Sequence, residues 1–171
     1  MKGYVHVYTG NGKGKTTAAL GLALRAAGAG LRVFIAQFLK NSPYSEIKAL
    51  ERYSDCITLH QYGTGCFIIG TPGDADREAA RQGFEHCRQH ILSGRYDVAI
   101  LDEITIAIHY GMITVDELLT LIAQKPEHVE LIITGRAADK KLIDCADLVT
   151  EMKDIKHYYT RGVTAREGIE K

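Results

Sequence analysis

The chain has no tryptophan, only three prolines and no excess of either charge among its 171 residues. Lysine plus arginine and aspartate plus glutamate number 21 each, so there is no global basic field of the kind that attracts nucleic acid. Nucleic acid is therefore not expected as a main partner. Because no proline-rich, serine-rich or glycine-rich linker divides the chain, we expect a single domain over residues 1–171.

Long apolar runs and paired cysteines are also missing. The apolar stretches are of strand length and one lysine precedes the first of them, so neither a signal peptide nor a membrane-spanning helix is expected. Cys56, Cys66, Cys87 and Cys145 lie far apart and form no CxxC pair. This spacing favours reduced thiols over a zinc site or a disulfide framework, and hence a cytoplasmic protein.

Strand-like and helix-like segments alternate along the chain. The strand-like segments are continuous apolar runs, as expected for strands buried on both faces of a parallel sheet. They cover residues 4–9, 32–38, 57–62, 97–103 and 129–135. Apolar residues recur at helical spacing in residues 17–29, 45–53, 75–92, 115–124 and 138–145. The alternation predicts an α/β fold, a three-layer αβα sandwich with a mostly parallel sheet.

A glycine-rich loop joins the first predicted strand to the first predicted helix. It reads Thr9-Gly10-Asn11-Gly12-Lys13-Gly14-Lys15-Thr16-Thr17. Its glycines allow several backbone amides to point inward, and the helix adds its positive N-terminal end, so polyphosphate is the expected ligand. Lys15 would reach phosphate oxygens and the Thr16 hydroxyl would face Mg²⁺. The common pattern G-x-x-x-x-G-K-[ST] requires glycine at Thr9, so the first glycine comes one residue late.

Two acids end the fourth predicted strand. Asp102 and Glu103 follow the apolar run Val98–Leu101, which is typical of the second, metal-organising strand of phosphate-loop proteins. We expect one of these carboxylates to bind Mg²⁺ opposite Thr16, since Mg²⁺ prefers a few hard oxygen ligands together with substrate phosphates.

Other polar residues allow two interpretations each. Arg25, nine residues after Thr16, either reaches around to phosphate or is a solvated arginine. Arg136, at the end of a strand, points either to the nucleotide or to solvent. His109 and Tyr110 either border a second substrate or form a partly buried aromatic pair. The irregular segment 62–74, with four glycines after a strand, is the first candidate for recognising a second substrate.

Metal-ligand and nucleophile patterns are scarce. His86 and His90 are four residues apart on one predicted helix, but the sequence shows no third partner, so we expect a histidine pair without a metal. No Ser/His/Asp or Cys/His constellation indicates a nucleophile. Catalysis would then depend on positioning and charge stabilisation, or on a reactive substrate.

These motifs together resemble those of the ATP:corrinoid adenosyltransferases of cobalamin biosynthesis, which act on cob(I)yrinic acid a,c-diamide or cob(I)alamin. The resemblance runs in order through TGNGKGKTTAALGLALRAAG, VFIAQFLK, GTGCF, DVAILDEIT, IITGR, DCADLVTEM and KHYYTRGVTAREGIE. The late first glycine is itself typical of that family. The resemblance implies a P-loop NTPase-like (RecA-like) fold and transfer of the 5′-deoxyadenosyl group of ATP to a Co(I) corrinoid, with release of triphosphate.

The resemblance also implies roles for individual residues. Thr16 and Glu103 would coordinate Mg²⁺, with Asp102 a less direct ligand. Lys15 and Arg25 would stabilise charge. The ATP-binding set would be Gly10, Asn11, Gly12, Lys13, Gly14, Lys15, Thr16, Thr17 and Arg25.

The corrinoid side of the resemblance differs at one place. Family members have a Phe-x-Trp pair at the positions of Cys66 to Ile68, and this chain has no tryptophan. Phe67, Ile68 and Ile69 would instead form an apolar wall that excludes a lower axial ligand of the cobalt. Family members act as homodimers, and a flavodoxin-like protein or free reduced flavin is the expected reductant.

Two alternatives remain open from the residues alone. A P-loop ATPase or kinase of the same fold would produce ADP instead of triphosphate. A non-catalytic ATP-binding regulatory module would bind nucleotide without turnover.

Overall fold

The computed structural model describes residues 2–42, 44–65 and 70–170. Within them, six strands form one sheet in which every pairing is parallel, in the order β3-β2-β4-β5-β1-β6. The strands are Val5–Thr9 (β1), Val33–Phe38 (β2), Ile57–Tyr62 (β3), Val98–Asp102 (β4), Glu130–Thr134 (β5) and Leu148–Glu151 (β6). Strand β5 therefore lies between the phosphate-loop strand β1 and the acid-bearing strand β4.

Helices cover both faces of the sheet. They are Lys15–Gly28 (α1), Ser45–Leu50 (α2), Asp74–Leu92 (α3), Ile104–His109 (α4), Val115–Gln124 (α5) and Lys140–Cys145 (α6), with 3-10 turns at Glu51–Tyr53 and Tyr158–Arg161. Buried residues of α1 and α2 pack on one face, and those of α3 to α6 pack on the other. The predicted three-layer αβα sandwich is confirmed.

The middle strands show why the sheet is buried on both sides. Every residue of β2 and of β4 is buried, and successive side chains of a strand point to opposite faces. Val33 and Ile35 of β2 pack with the alanines of α1, whereas Phe34 and Phe38 pack with α3. The parallel sheet thus places the carboxyl ends of β1, β2, β4 and β5 side by side along one end of the strands.

Two elements were not predicted. All four residues of β6 are exposed, so this edge strand lacks the continuous apolar pattern of the others. Helix α4 follows β4 after a single residue, Glu103, whose φ of +65° turns the chain out of the strand. Only Asp102 and Glu103 separate the apolar residues of β4 from those of α4, and no glycine or proline marks the boundary between the two elements.

No helix in the described ranges combines the length and apolar character needed to cross a bilayer. Cys56, Cys87 and Cys145 are free thiols, as predicted, and Cys66 lies outside the described residues.

Candidate active site

The phosphate loop lies at the carboxyl end of β1. Strand β1 ends at Thr9 and α1 begins at Lys15, so the first backbone N–H groups of α1 face the loop. Gly10 and Gly14 have φ of +97° and +117°, in the left-handed region that favours glycine. The Gly12 amide donates to the Met152 carbonyl at 2.7 Å. The loop therefore rests on the chain that follows β6.

Replacing Gly10 by alanine is expected to displace the loop. A Cβ at Gly10 would meet the Met152 carbonyl and would also hold an unfavourable φ. We expect a loss of about 1–3 kcal/mol in the free energy of unfolding and at least tenfold weaker ATP binding, measured by urea unfolding and nucleotide titration. Gly21 in α1 is the control, since a Cβ there meets open space. Gly21→Ala should stabilise the chain by about 0.5–1 kcal/mol. Equal behaviour of the two variants would contradict this account.

Lys15 is folded into the loop. Its side chain is buried, and Nζ donates to the Gly12 carbonyl at 2.7 Å. Burial lowers the pKa of Lys15, and the charge of Arg136 acts in the same direction, against Glu103 and Asp102. A phosphate oxygen that replaced the Gly12 carbonyl as the partner of Lys15 Nζ would accept a hydrogen bond from the same ammonium. Lys15 is thus positioned to receive negative charge inside the loop.

Asp102 is the centre of a hydrogen-bond network below the loop. It is fully buried. Its Oδ1 accepts from the Thr16 hydroxyl at 2.8 Å and from the Thr134 hydroxyl at 2.7 Å. Its Oδ2 accepts from Lys40 Nζ at 2.9 Å and from Gln37 Nε2 at 3.2 Å. Asp102 therefore connects the loop to the ends of β2 and β5.

Lys40 is a site residue that sequence reasoning missed. Burial alone would lower the pKa of Lys40, but the charge of Asp102 and the hydrogen bond to it raise the pKa overall. Leu39, with φ of +59°, turns the chain just after β2. The observation that identifies Lys40 is the register of the strands. Gln37 of β2 pairs with Asp102 of β4, so the residues after β2 lie beside that acid.

Glu103 has a different environment from Asp102. Its backbone amide donates to the Thr134 hydroxyl at 3.0 Å. Burial and the neighbouring Asp102 charge raise the pKa of Glu103, against the opposing charges of Lys40, Lys15 and Arg136. Its carboxylate makes no hydrogen bond or ion pair within the part of the chain that the structure describes. Glu103 is therefore the acid at this edge that can accept a cation without losing a protein partner.

Lys13 points away from the interior of the loop. Its Nζ donates to Glu170 Oε1 at 2.8 Å, and to the Tyr158 hydroxyl and the Ile169 carbonyl at 3.0 Å each. Lys13 was predicted as part of the ATP-binding loop, and its side chain is held by three acceptors from the segment 158–170.

Lys13→Ala is accordingly expected to affect catalysis far less than a change at Lys15. We expect less than a tenfold fall in kcat/KM for adenosyl transfer, together with faster proteolysis of the segment 158–170. Limited proteolysis followed by mass spectrometry, run beside the kinetic assay, measures both. A large rate loss with unchanged proteolysis would show that Lys13 contacts substrate instead.

The other predicted residues are placed less centrally. Arg25 is exposed in the last turn of α1, about 15 Å along the helix axis from Lys15. Arg136 is exposed, but its charge acts on Lys15 and Glu103. His109 is exposed, and its ring centroid lies 5.6 Å from that of half-buried Tyr110.

Three site predictions lie outside the part of the chain that is described. These are the corrinoid-facing residues Phe67, Ile68 and Ile69.

A groove borders the first half of the loop. Its volume is about 550 Å³, within the usual range for small-molecule sites. It is lined by Thr9, Gly10, Asn11, Ala137, Ala138, Ile143, Val149 and Glu151. The loop therefore adjoins a space large enough for a nucleoside-sized group.

Comparison with known proteins agrees with this geometry. The sequence model of the ATP:corrinoid adenosyltransferase BtuR/CobO/CobP family matches residues 1–170. A corrinoid adenosyltransferase of Escherichia coli (strain K12) is 34% identical over 170 residues, covering 99% of this chain and 86% of the relative. Corrinoid adenosyltransferase CobA of Salmonella typhimurium is 35% identical with the same coverage. One of Sinorhizobium sp. is 35% identical over 173 residues, covering 99% of this chain and 80% of the relative. The chain belongs to the ATP:corrinoid adenosyltransferase family.

Proposed function

We propose that this chain, acting as a single domain, transfers the 5′-deoxyadenosyl group of ATP to the Co(I) centre of a corrinoid and releases triphosphate. Membership of the family establishes ATP:corrinoid adenosyl transfer as the activity. The observation that carries the residue assignment is the link from the phosphate loop through Thr16 to Asp102 and Lys40. This link brings the loop, a buried carboxylate and a second cation together.

The transfer needs no side-chain nucleophile. The Co(I) electron pair forms the bond to C5′ of ATP, and the C5′–O bond breaks with its electron pair leaving on the triphosphate oxygen. No proton has to be removed for this attack. The chain's task is to hold C5′ in line with cobalt and to stabilise charge on the departing triphosphate, and we assign the second role to Lys15 and the loop amides of Gly10–Thr17.

The acids and Thr16 fit a magnesium site. Their donor atoms are a hydroxyl and carboxylate oxygens, the hard ligands that Mg²⁺ prefers. We assign Glu103 and the Thr16 hydroxyl as ligands, and Asp102 as the group that orients Thr16 through its 2.8 Å hydrogen bond. When bound, Mg²⁺ would neutralise part of the triphosphate charge.

The raised pKa of Glu103 predicts a Mg²⁺-dependent pH profile. Protonation competes with Mg²⁺ for this carboxylate. We expect kcat/KM to fall on the acid side at a pH above the ordinary glutamate pKa of about 4.3, and higher Mg²⁺ to move this limb to lower pH. Rates measured against pH at two Mg²⁺ concentrations test this. If the acid limb of the pH profile did not move with the Mg²⁺ concentration, the assignment of Glu103 as a Mg²⁺ ligand would be wrong.

The same pKa shift has a consequence for stability. A carboxyl whose pKa is raised by folding adds stability below its unfolded pKa, and this stability is lost as pH rises through the folded pKa. Glu103→Gln should therefore be more stable than the parent chain at pH 8 in Mg²⁺-free buffer.

The proposal has further components. Phe67, Ile68 and Ile69 would form the apolar wall against the corrinoid, and Arg25 would add charge stabilisation. A homodimer is supported by exposed apolar residues on β6, Leu148 and Val149. A flavodoxin-like protein or reduced flavin would supply the electron, and the free thiols agree with the cytoplasm.

One experiment tests the central proposal. The protein is incubated anaerobically with ATP, Mg²⁺ and chemically reduced corrinoid, and the light-sensitive cobalt–carbon bond and triphosphate are followed together. Equal amounts of both products are expected. ADP formation would favour the ATPase or kinase alternative, and nucleotide binding without either product would favour the regulatory module.

A further inference from the structure

Three histidines converge at the edge strand β3, on the face of the sheet that α3 covers. His60 lies on β3, and His86 and His90 lie on α3. One ring nitrogen from each can be chosen so that the three atoms lie within 4.8 Å of one another. The sequence-based prediction that His86 and His90 have no third partner was wrong. Residue spacing cannot reveal His60, because only the packing of α3 on β3 brings it near.

The Nε2 atoms of His86 and His90 face each other, and the His60 ring packs against His86. His86 Nε2 and His90 Nε2 are 2.8 Å apart, and the ring centroids of His60 and His86 are 4.9 Å apart. Zinc–nitrogen bonds of about 2.0–2.1 Å at tetrahedral angles need nitrogen separations of roughly 3.3 Å. The His86–His90 nitrogen separation is about 0.5 Å below that value, and a His60 nitrogen lies within 4.8 Å of the ligand nitrogens of the other two rings. Small rotations of the rings would bring the three nitrogens to the separations that zinc needs.

The outer ring nitrogens have partners of the kind that metal-bound histidines use. The Tyr96 hydroxyl donates to Thr58 Oγ1 at 3.3 Å and lies 3.2 Å from His90 Nδ1. His90 Nδ1 can then donate to the Tyr96 oxygen, and in that tautomer the lone pair is on Nε2, facing His86. His86 Nδ1 hydrogen-bonds to the Tyr62 hydroxyl. On binding a cation through Nε2, His86 would carry its single proton on Nδ1 and donate a hydrogen bond from it to the Tyr62 hydroxyl.

The surrounding packing holds these groups in place. The Phe34 ring stacks on His90 with centroids 4.6 Å apart and planes inclined by 6°. Gly83, one turn before His86, lets Tyr62 approach α3, since a Cβ there would lie 2.7 Å from the Tyr62 Cβ. The three histidines are themselves only half-buried, so an ion can enter from solvent.

We propose that His60, His86 and His90 bind one Zn²⁺ ion. Three neutral imidazoles suit a first-row divalent ion such as zinc, and they leave a fourth position for water. The ion would fasten the edge strand β3 to α3, the two elements that flank the segment 63–73.

Burial supports ligation at neutral pH. It lowers the pKa of His60 and of His90, and the charge of His86 adds to both effects. These imidazoles are therefore kept neutral, as metal ligands must be.

The test is a Zn²⁺ titration of the full chain after removal of metals by chelation, with excess Mg²⁺ present to occupy the oxygen site and without ATP or corrinoid. Competition with a chromophoric chelator reports stoichiometry and affinity. We expect one Zn²⁺ per chain, at least tenfold weaker binding in His60→Gln, His86→Gln and His90→Gln, and wild-type binding in His128→Gln. His128 lies outside the cluster and bonds to the Gly94 carbonyl.

A second measurement uses the unmodified chain, so that it does not depend on the folding of the variants. Co²⁺ replaces Zn²⁺, and the intensity of its visible absorption reports the coordination number. An intense four-coordinate band that Zn²⁺ displaces is expected. Absence of stoichiometric Zn²⁺, unchanged affinity in all three histidine variants, or a weak six-coordinate Co²⁺ band would overturn the proposal.

Discussion

Lys15→Ala is expected to lower kcat/KM for adenosyl transfer by about 10²–10³-fold, the usual cost of losing one donor to a charge that develops in the transition state. The ammonium is buried at the loop, where its interaction with phosphate is weakly screened. Since charge grows on the triphosphate only as the C5′–O bond breaks, kcat should fall more than ATP affinity. Initial rates at saturating and limiting ATP separate the two.

Lys141→Ala provides the matched control for Lys15. Lys141 is exposed and pairs with Asp116 at 2.8 Å on the surface, an arrangement that contributes little. Its rate should stay within twofold of the parent chain. If Lys15→Ala retained activity within tenfold of this control, the assignment of Lys15 to the leaving group would be wrong.

The second large effect is expected at Asp102. Asp102→Asn leaves the Lys40 charge without its partner and presents an amide where four donors now converge. Breaking a buried ion pair in this way typically costs about 3–5 kcal/mol. We expect a loss of that size in the free energy of unfolding, and at least a 10²-fold fall in adenosyl transfer, because Thr16 loses the acceptor that orients it.

A double variant separates the two consequences. In Asp102→Asn with Lys40→Met the unpaired charge is absent, so much of the stability should return. Activity should remain low, since Thr16 still lacks its carboxylate partner. Urea unfolding and triphosphate release measured on the same preparations test this. Recovery of activity along with stability would mean that Asp102 supports the fold alone.

The sequence predicted the sheet better than it predicted the edges of the sheet. Continuous apolar runs such as Val33–Phe38 need burial on both faces, so their identity as parallel strands follows from composition. Strand β6 could not be predicted in this way, because its exposed residues are held by backbone pairing with β1. That pairing depends on the completed sheet.

The residues of the candidate site also fall into those that the sequence could predict and those that it could not. The phosphate loop and the acids Asp102 and Glu103 carry local patterns and could be predicted. Lys40 and Thr134 could not, because their contact with Asp102 arises from strand register across β2, β4 and β5. His60 was missed for a related reason, since it meets His86 only through helix-on-sheet packing.

The phosphate loop is supported by Met152 and by the segment 158–170, which lie far from it in the sequence. This separation affects how the protein folds during synthesis. Lys13 and Tyr158 are 145 residues apart, and β1 pairs with β5 and β6. On the ribosome the loop emerges well before the groups that hold it. The supported form of the loop therefore depends on long-range contacts, and such contacts are slow to form.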